Sequence, residues 1–300
     1  VIEMIINKIK IEKTFAEAFP MKAVRIIITA ETKHWVCKAV ESMTGFATSV
    51  IACGCEGGIE KELQKSATPD GRPGASVLLF AMDSKGLAKQ VLRRVGQCVL
   101  TTPTTACFSG IDSGEKISLG ESLRYFGDGY QISKKIGNTR FWRIPVMDGE
   151  FVIEEQTNIV PAIGGGNILI LGSSREFVLK AGEGAVKEMS KIENTILPFP
   201  GGIVRSGSKV GSKYKSLIAS TNDAYCPTLK GLTKTNLNKG DEAVLEIVID
   251  GIDQEDIAKT MRIGIETICR KFNKGISAIS AGNYGGKLGK YHFHLQEIIK

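Results

Sequence analysis

The chain has 300 residues, 42% of them hydrophobic and 24% charged, and its 39 Lys or Arg against 32 Asp or Glu give a formal net charge of +7. That composition belongs to a soluble globular protein with room for one large domain or two ordinary ones. No apolar run reaches the roughly 18 residues that span a bilayer, and the amino end "VIEMIINKIKIEKTFAEAF" carries no signal-peptide core, so a cytoplasmic location without membrane attachment is expected.

In chain order, "VRIIITA" predicts a strand. A helix follows, in which Trp35, Ala39 and Met43 recur at fours on one face. A second strand, "FATSVIAC", is expected to run into "GCEGGIE". "ASVLLFAM" predicts a third strand, followed by a helix with Leu87, Val91, Leu92 and Val95 on one face and then a strand at "CVLTT". "YFGDGYQ" and "RFWRIPVMDGEFVIEE" read as hairpin strands, with a boundary near Gly149.

The plan then repeats. "NILILG" predicts a strand, Val178, Ala181, Ala185 and Met189 a helical face, and "NTILPFPGGIV" a strand ending in a second Gly-Gly-Ile. "AVLEIVIDG", a helix carrying Ile257, Met261, Ile265, Ile268 and Phe272, and "GISAISAG" complete the second copy. The expected fold class is therefore α+β: two ferredoxin-like (split βαβ) lobes related by internal duplication, with antiparallel sheets flanked by helices. The expected lobes are residues 1–148 and 149–300. The second carries an insertion at about 205–239 that the first lacks, with seven Lys or Arg against the single acid Asp223. An ordered cationic loop beside a pocket is the expected form of so long a connection.

Among chemical motifs, "PFPGGIVRSGSKVGSK" imitates a phosphate loop, but Ser208 occupies the position of the required lysine and Lys209 comes one residue late. There is no Ser-His-Asp order, no G-x-S-x-G elbow and no HExxH. The seven cysteines lack metal-ligand spacing, and His292 and His294 alternate with Phe293 and Leu295 as on a strand face, so no metal site is expected. Nucleic acid is not an expected partner, because no motif or aromatic platform accompanies the modest positive charge. In "AVLEIVID", Val244, Glu246, Val248 and Asp250 share the face opposite Ala243, Leu245, Ile247 and Ile249. Glu246 is then either a desolvated carboxyl suited to proton transfer or a polar residue on a solvent-facing strand. Three loops offer ligand contacts: Tyr125, Phe126, Asp128, Tyr130 and Gln131; Asn222, Asp223 and Tyr225; and Asn283 with Lys287. Their glycines permit close backbone approach to a ligand, and simple turns account for them equally well.

Taken together, "TFAEAF", "TPDGRPG", "GQCVLTTPTTA", "YFGDGYQ", "PFPGGIV", "GSKVGSK", "STNDAYCPT", "EIVIDG" and "SAGNYGGKLGK" resemble formylmethanofuran:tetrahydromethanopterin formyltransferases, in order and over nearly the whole chain. The resemblance implies transfer of a formyl group from methanofuran to a ring nitrogen of tetrahydromethanopterin, in the one-carbon metabolism of methanogenic archaea and methylotrophic bacteria. It implies no bound prosthetic group, the two carriers acting as substrates. It also implies a homo-oligomer, dimer or tetramer, and two ferredoxin-like lobes. The family's buried glutamate falls on Glu246. Ser208 and Lys209 join the three loops above as candidate substrate contacts. Three features depart from the family pattern: the net charge of +7 where archaeal members are commonly acidic, Arg205 in place of an alanine, and Cys53-Gly54-Cys55-Glu56 in place of Cys-Pro-Ala-Glu. The alternative is a non-catalytic paralogue that binds pterin or methanofuran within a larger complex.

Overall fold

A computed structural model describes residues 3–300. It is a mixed α+β fold with mostly antiparallel strands and flanking helices. The strands used below are β1 (Met4–Ile6), β2 (Ile9–Ile11), β3 (Phe15–Thr29), β4 (Glu56–Leu63), β5 (Gly74–Ala81), β6 (Ala106–Ser109), β7 (Thr139–Val146), β8 (Gly149–Glu154), β9 (Gln156–Gly172), β10 (Thr195–Ile196), β11 (Ala243–Gly251), β12 (Ile276–Ser280) and β13 (Tyr291–His294). The four long helices are α1 (Lys33–Thr44), α2 (Ser84–Arg94), α3 (Arg175–Met189) and α4 (Gln254–Lys271). Each begins on a side-chain cap, Thr32, Asp83, Ser174 or Asp253, whose oxygen accepts an otherwise orphaned first-turn N–H.

The chain forms two compact units, Met21–Ala162 and Val1–Pro20 with Ile163–Lys300. Their extents differ from the expected 1–148 and 149–300, because the described residues up to Pro20 pack with the C-terminal part and residues 149–162 with the N-terminal part. In the first unit the strand order is β6-β3-β5-β4, all antiparallel, with β6 also pairing parallel to β8 of the β7-β8 hairpin. Val36, Ala39, Val40 and Met43 of α1 and Leu87 and Val91 of α2 close its core over Val24, Ile26, Ile28, Val77 and Leu79. Trp35 is not on that buried face; it lies at the rim, 36% exposed.

Three expected strands in this unit, "FATSVIAC", "CVLTT" and "YFGDGYQ", are not strands. In "FATSVIAC", Ser49 caps a short helical turn, Val50–Cys53, which Gly54 closes at φ 76°; β4 begins only at Glu56. In "CVLTT", α2 continues as a wider helical turn through Val99, and the Thr101 and Thr102 hydroxyls donate back to the Gln97 and Cys98 carbonyls. The strand expected there starts at Ala106.

In the second unit the order is β12-β9-β11-β10, again antiparallel, and β2 of the β1-β2 hairpin adds parallel to β12. Val178, Ala181, Ala185 and Met189 of α3 and Ile257, Met261, Ile265 and Ile268 of α4 lie on one face of this sheet with Ile168, Ile170, Ile247 and Ile249. The alternation read from the sequence is therefore the alternation of the folded strands. The two Gly-Gly-Ile segments differ: Gly57 and Gly58 lie inside β4, whereas Gly201 (φ 64°) and Gly202 (φ 77°) form a tight turn after β10.

Candidate functional site

The face of the second sheet turned away from α3 and α4 is built in rows across three strands. Glu246 of β11 stands opposite Leu169 of β9, which stands opposite Ser280 of β12. The next row is Val244, Leu171 and Ala278. Cross-strand partners point to the same face, so these residues form one surface. The basic insertion folds over it: Tyr225 and Leu237 pack on Leu169, Leu171, Ala278 and Val244. The insertion is thus anchored by apolar contacts rather than left as a solvated tether.

Glu246 is positioned by its backbone on both sides. It pairs with Leu169 of β9, and its N–H and C=O exchange bonds of 2.9 and 2.7 Å with Val204, the residue that ends the Gly-Gly-Ile turn. Burial pushes its carboxyl up to about 7, with no compensating hydrogen bond. Beside it lies Tyr284. Burial raises the Tyr284 phenol above its ordinary range, the Glu246 carboxylate adds to that, and a hydrogen bond with Ser208 pulls the other way. Glu246, Tyr284 and Ser208 therefore form one electrostatic group.

Tyr284 sits on the loop Asn283–Gly289, and one side chain holds that loop. Glu17 of β3 is 1% exposed, and its two oxygens accept from the N–H groups of Tyr284, Gly286, Leu288 and Gly289 at 2.6–2.8 Å. Burial alone would raise the Glu17 carboxyl; the four donors outweigh it and hold it at about 2. Gly289 must be glycine here, since a Cβ would meet the Ala18 carbonyl oxygen at 2.4 Å.

An open pocket of about 450 Å³ adjoins the Ser280 end of the row. Glu12, Thr14 and Asn283 line it together with Asn222, Tyr225 and Asn236 of the insertion. Ser280 Oγ donates to Glu12 at 2.5 Å and lies 3.2 Å from the Tyr225 hydroxyl.

Of the residues singled out in the sequence, Glu246 and Ser208 meet at Tyr284, and Asn222, Tyr225 and Asn283 meet at the pocket. Asn283 is largely spoken for, donating to Thr14 and the Phe15 carbonyl. Lys209 and Asp223 bond each other at 2.7 Å, which holds the Asp223 carboxyl below its usual range. Lys287 is exposed. Tyr125, Phe126, Asp128, Tyr130 and Gln131 lie in the other unit. There the chain makes a tight turn, Arg124–Gly127, rather than a hairpin strand, and Asp128 continues it at φ 51°. Arg124 stacks over Tyr125 and Trp142, while Tyr125, Phe126 and Tyr130 are largely exposed.

Glu12, Glu17, Ser280 and Tyr284 were missed by sequence reasoning. The one available signal was Glu17 itself, a lone acid in the apolar strand "FAEAF". No helix is long and apolar enough to cross a membrane, and no group of three metal-ligating side chains occurs among the described residues. The phosphate-loop imitation is a turn with no helix after it, so no helix N-terminus is there to receive a phosphate.

Comparison with known proteins supplies the chemistry. The family model described as formylmethanofuran-tetrahydromethanopterin formyltransferase matches residues 4–146, and a model described as the proximal lobe of that family matches residues 149–298. A formylmethanofuran–tetrahydromethanopterin formyltransferase of Methylococcus capsulatus is 63% identical over 99% of this chain and 100% of its own length; one of Methanosarcina acetivorans is 47% identical over the same shares. The formyltransferase/hydrolase complex of Methylorubrum extorquens, solved with methylofuran, contains a chain that superposes with a TM-score of 0.97 at 49% identity, covering 100% of this chain and 99% of that one. The formyltransferase of Methanosarcina barkeri superposes with a TM-score of 0.93 at 46% identity, covering 98% and 100%. The chain belongs to the formylmethanofuran–tetrahydromethanopterin formyltransferase family.

Proposed function

We propose that Glu246 is the proton-transfer group of the formyl transfer that this enzyme carries out between N-formylmethanofuran and a ring nitrogen of tetrahydromethanopterin. The observation that carries the assignment is a desolvated carboxyl of pKa about 7 with no partner among the described residues, on a surface shared with a pocket. In the transfer, the pterin nitrogen attacks the formyl carbon and a tetrahedral intermediate forms. Glu246 takes the proton from that nitrogen and returns it to the methanofuran nitrogen as the old C–N bond breaks, so no net proton is gained or lost. The Tyr284 phenol, kept neutral by its raised pKa, donates to the oxyanion. The test is Glu246→Gln in a spectroscopic transfer assay. A fall in kcat of at least about a hundredfold is expected, and near-normal turnover of the folded variant removes Glu246 from the mechanism.

The remaining assignments belong to the same reading. Ser208, Asn222, Tyr225 and Asn283 surround the bound carriers. Tyr125, Phe126, Asp128, Tyr130 and Gln131 supply further contacts, and Lys209, Asp223 and Lys287 border the site. Arg205, Lys213, Lys215, Lys234 and Lys239 are exposed without an ion pair among the described residues, and they attract the acidic tails of the carriers. The two halves of the chain are copies of one ferredoxin-like plan, which the shared 4-1-3-2 strand order supports, and they divide at 148/149, a boundary that family-model matches ending at 146 and starting at 149 support. The protein is cytoplasmic and assembles as a homo-oligomer. Its 50% identity to a Methylorubrum extorquens protein named as one component of a formyltransferase/hydrolase complex supports a second assembly, a hetero-complex; mass measurement of the native particle separates the two.

A further inference from the structure

The first unit carries a pair of thiols that the formyl-transfer reading does not use. Cys53 ends the helical turn Val50–Cys53, and Cys55 follows after one glycine. In an extended chain, Cα atoms two residues apart are about 7 Å from each other, the outer limit for a disulfide. Gly54 removes that obstacle: at φ 76° and ψ −7° it turns the chain in the left-handed conformation and draws the two cysteines together. Packing fixes the turn as well, since a Cβ on Gly54 would meet the Gln90 amide nitrogen at 2.5 Å. The two sulfurs have different surroundings. Cys53 Sγ lies 3.7 Å from the Thr48 hydroxyl, and Cys53 is 9% exposed between the exposed Ala52 and Gly54. The Cys55 thiol donates to Gln90 Oε1 at 3.8 Å, and Cys55 is 0% exposed. Arg94 acts on both thiols. It donates to Gln90 and to the carbonyls of Met43, Gly45 and Phe46, which holds its charge in place.

Burial opposes ionisation of both thiols, and it loses at one of them. At Cys53, backbone hydrogen bonds to Ser49 and Thr48, the Thr48 hydroxyl and Arg94 outweigh it and hold the thiol below its ordinary range. At Cys55 burial outweighs Arg94, and the thiol is raised. A rim sulfur that ionises readily, next to a buried sulfur that stays protonated, divides the work as an attacking and a resolving thiol do. We propose that Cys53 and Cys55 form a reversible dithiol–disulfide couple oxidised by small hydroperoxides, with Cys53 attacking and Cys55 resolving. The Cys53 thiolate attacks one peroxide oxygen, the O–O bond breaks, and the departing hydroxide takes a proton and leaves as water. The sulfenic acid so formed is displaced by the Cys55 sulfur: the S–O bond breaks, the S–S bond forms, and a second water leaves with the Cys55 proton. The two thiols give up two electrons and two protons, and hydrogen peroxide takes up both to become two waters. Only a small oxidant fits the narrow exposure of Cys53.

The test treats the reduced full chain with hydrogen peroxide in slight excess, alkylates the remaining thiols under denaturing conditions and maps the peptides by mass spectrometry. The peptide that carries residues 53–55 should lose two hydrogen atoms and escape alkylation at both cysteines. It should do so at least about fivefold faster than Cys37, Cys98 and Cys226 are modified, although those three are more exposed. Dithiothreitol should restore both thiols. Cys55→Ser should stop at a sulfenic acid on Cys53, trapped by dimedone, and Cys53→Ser should leave Cys55 reduced. Oxidation that begins at Cys37, Cys98 or Cys226 overturns the proposal, and so does a native Cys53 that proceeds to sulfinic acid while Cys55 stays reduced. The native chain alone decides between these outcomes, so the proposal does not depend on either variant folding.

Discussion

A carboxyl group with no hydrogen bond, flanked on its own face by Val244 and Val248, costs stability whenever it is charged. Glu246 titrates at about 7 in the folded chain and near 4.5 when unfolded, so the unfolded state is the better acid. The sign follows from linkage: folding is favoured fully below about pH 4.5 and loses that contribution as pH rises through about 7. Glu246→Gln should therefore be more stable than the native protein at pH 8, by up to about 3 kcal/mol, with the gain gone at pH 4.5. Urea unfolding at the two pH values checks this, and equal differences at both would show that the carboxyl is not desolvated. The same group should give kcat/KM an acid limb, with activity falling below about pH 7 and the limb absent from what remains in Glu246→Gln. A residue that stabilises when neutralised and inactivates when replaced is selected for chemistry. The alternation of "AVLEIVID" placed Glu246 on the correct face; it left open what covers that face. The cover is Tyr225 and Leu237, distant in sequence and not periodic with the strand, so no local pattern reports it.

The loop Asn283–Gly289 owes its shape to a single strand residue. With Glu17 held at about 2, its contribution is fully present above about pH 4.5 and is lost as pH falls toward about 2. Glu17→Gln keeps an acceptor but puts an amide donor against N–H groups, at a cost of about 1.5–3 kcal/mol. Hydrogen exchange at Tyr284, Gly286, Leu288 and Gly289 should accelerate at least about tenfold near neutral pH, and unchanged exchange would show that the loop does not depend on Glu17. Because Tyr284 belongs to this loop, kcat should fall as well. Long amphipathic elements were legible in the sequence, as with α3, where Val178, Ala181, Ala185 and Met189 of the expected face are all buried. "FATSVIAC" and "CVLTT" were misread because apolar, β-prone residues there are governed by short-range hydroxyl bonds: Ser49 as a cap, Thr101 and Thr102 back-bonded to carbonyls. "GNYGGKLG" reads as a generic glycine loop, since the partner of its N–H groups lies on β3, more than 260 residues earlier.

At the scale of the molecule, the candidate site draws on both ends of the chain. Glu246, Ser280 and Tyr284 come from the C-terminal part, while Glu12, Thr14 and Glu17 come from the first twenty residues of the same compact unit. A division at 148/149 leaves the C-terminal half without the strand that carries Glu17. The packing is as intimate as the polar contacts. β2 pairs with β12 at Ile11 and Ile279, β13 pairs with residues 15–18 of β3, and Ile9 and Ile11, 0% and 1% exposed, sit in the core with α3 and α4. Ile11→Ala should cost about 2–5 kcal/mol, the scale of a full core truncation. Urea unfolding followed by tryptophan fluorescence will not suffice alone, since both tryptophans, Trp35 and Trp142, are in the other unit. Hydrogen exchange of β12 and of the Asn283–Gly289 loop reports the affected unit directly. The expected result is faster exchange in both segments, because Ile11 pairs with Ile279 and the strand that follows carries Glu17. A loss below about 0.5 kcal/mol, with exchange unchanged, would mean that the first twenty residues decorate this unit rather than complete it.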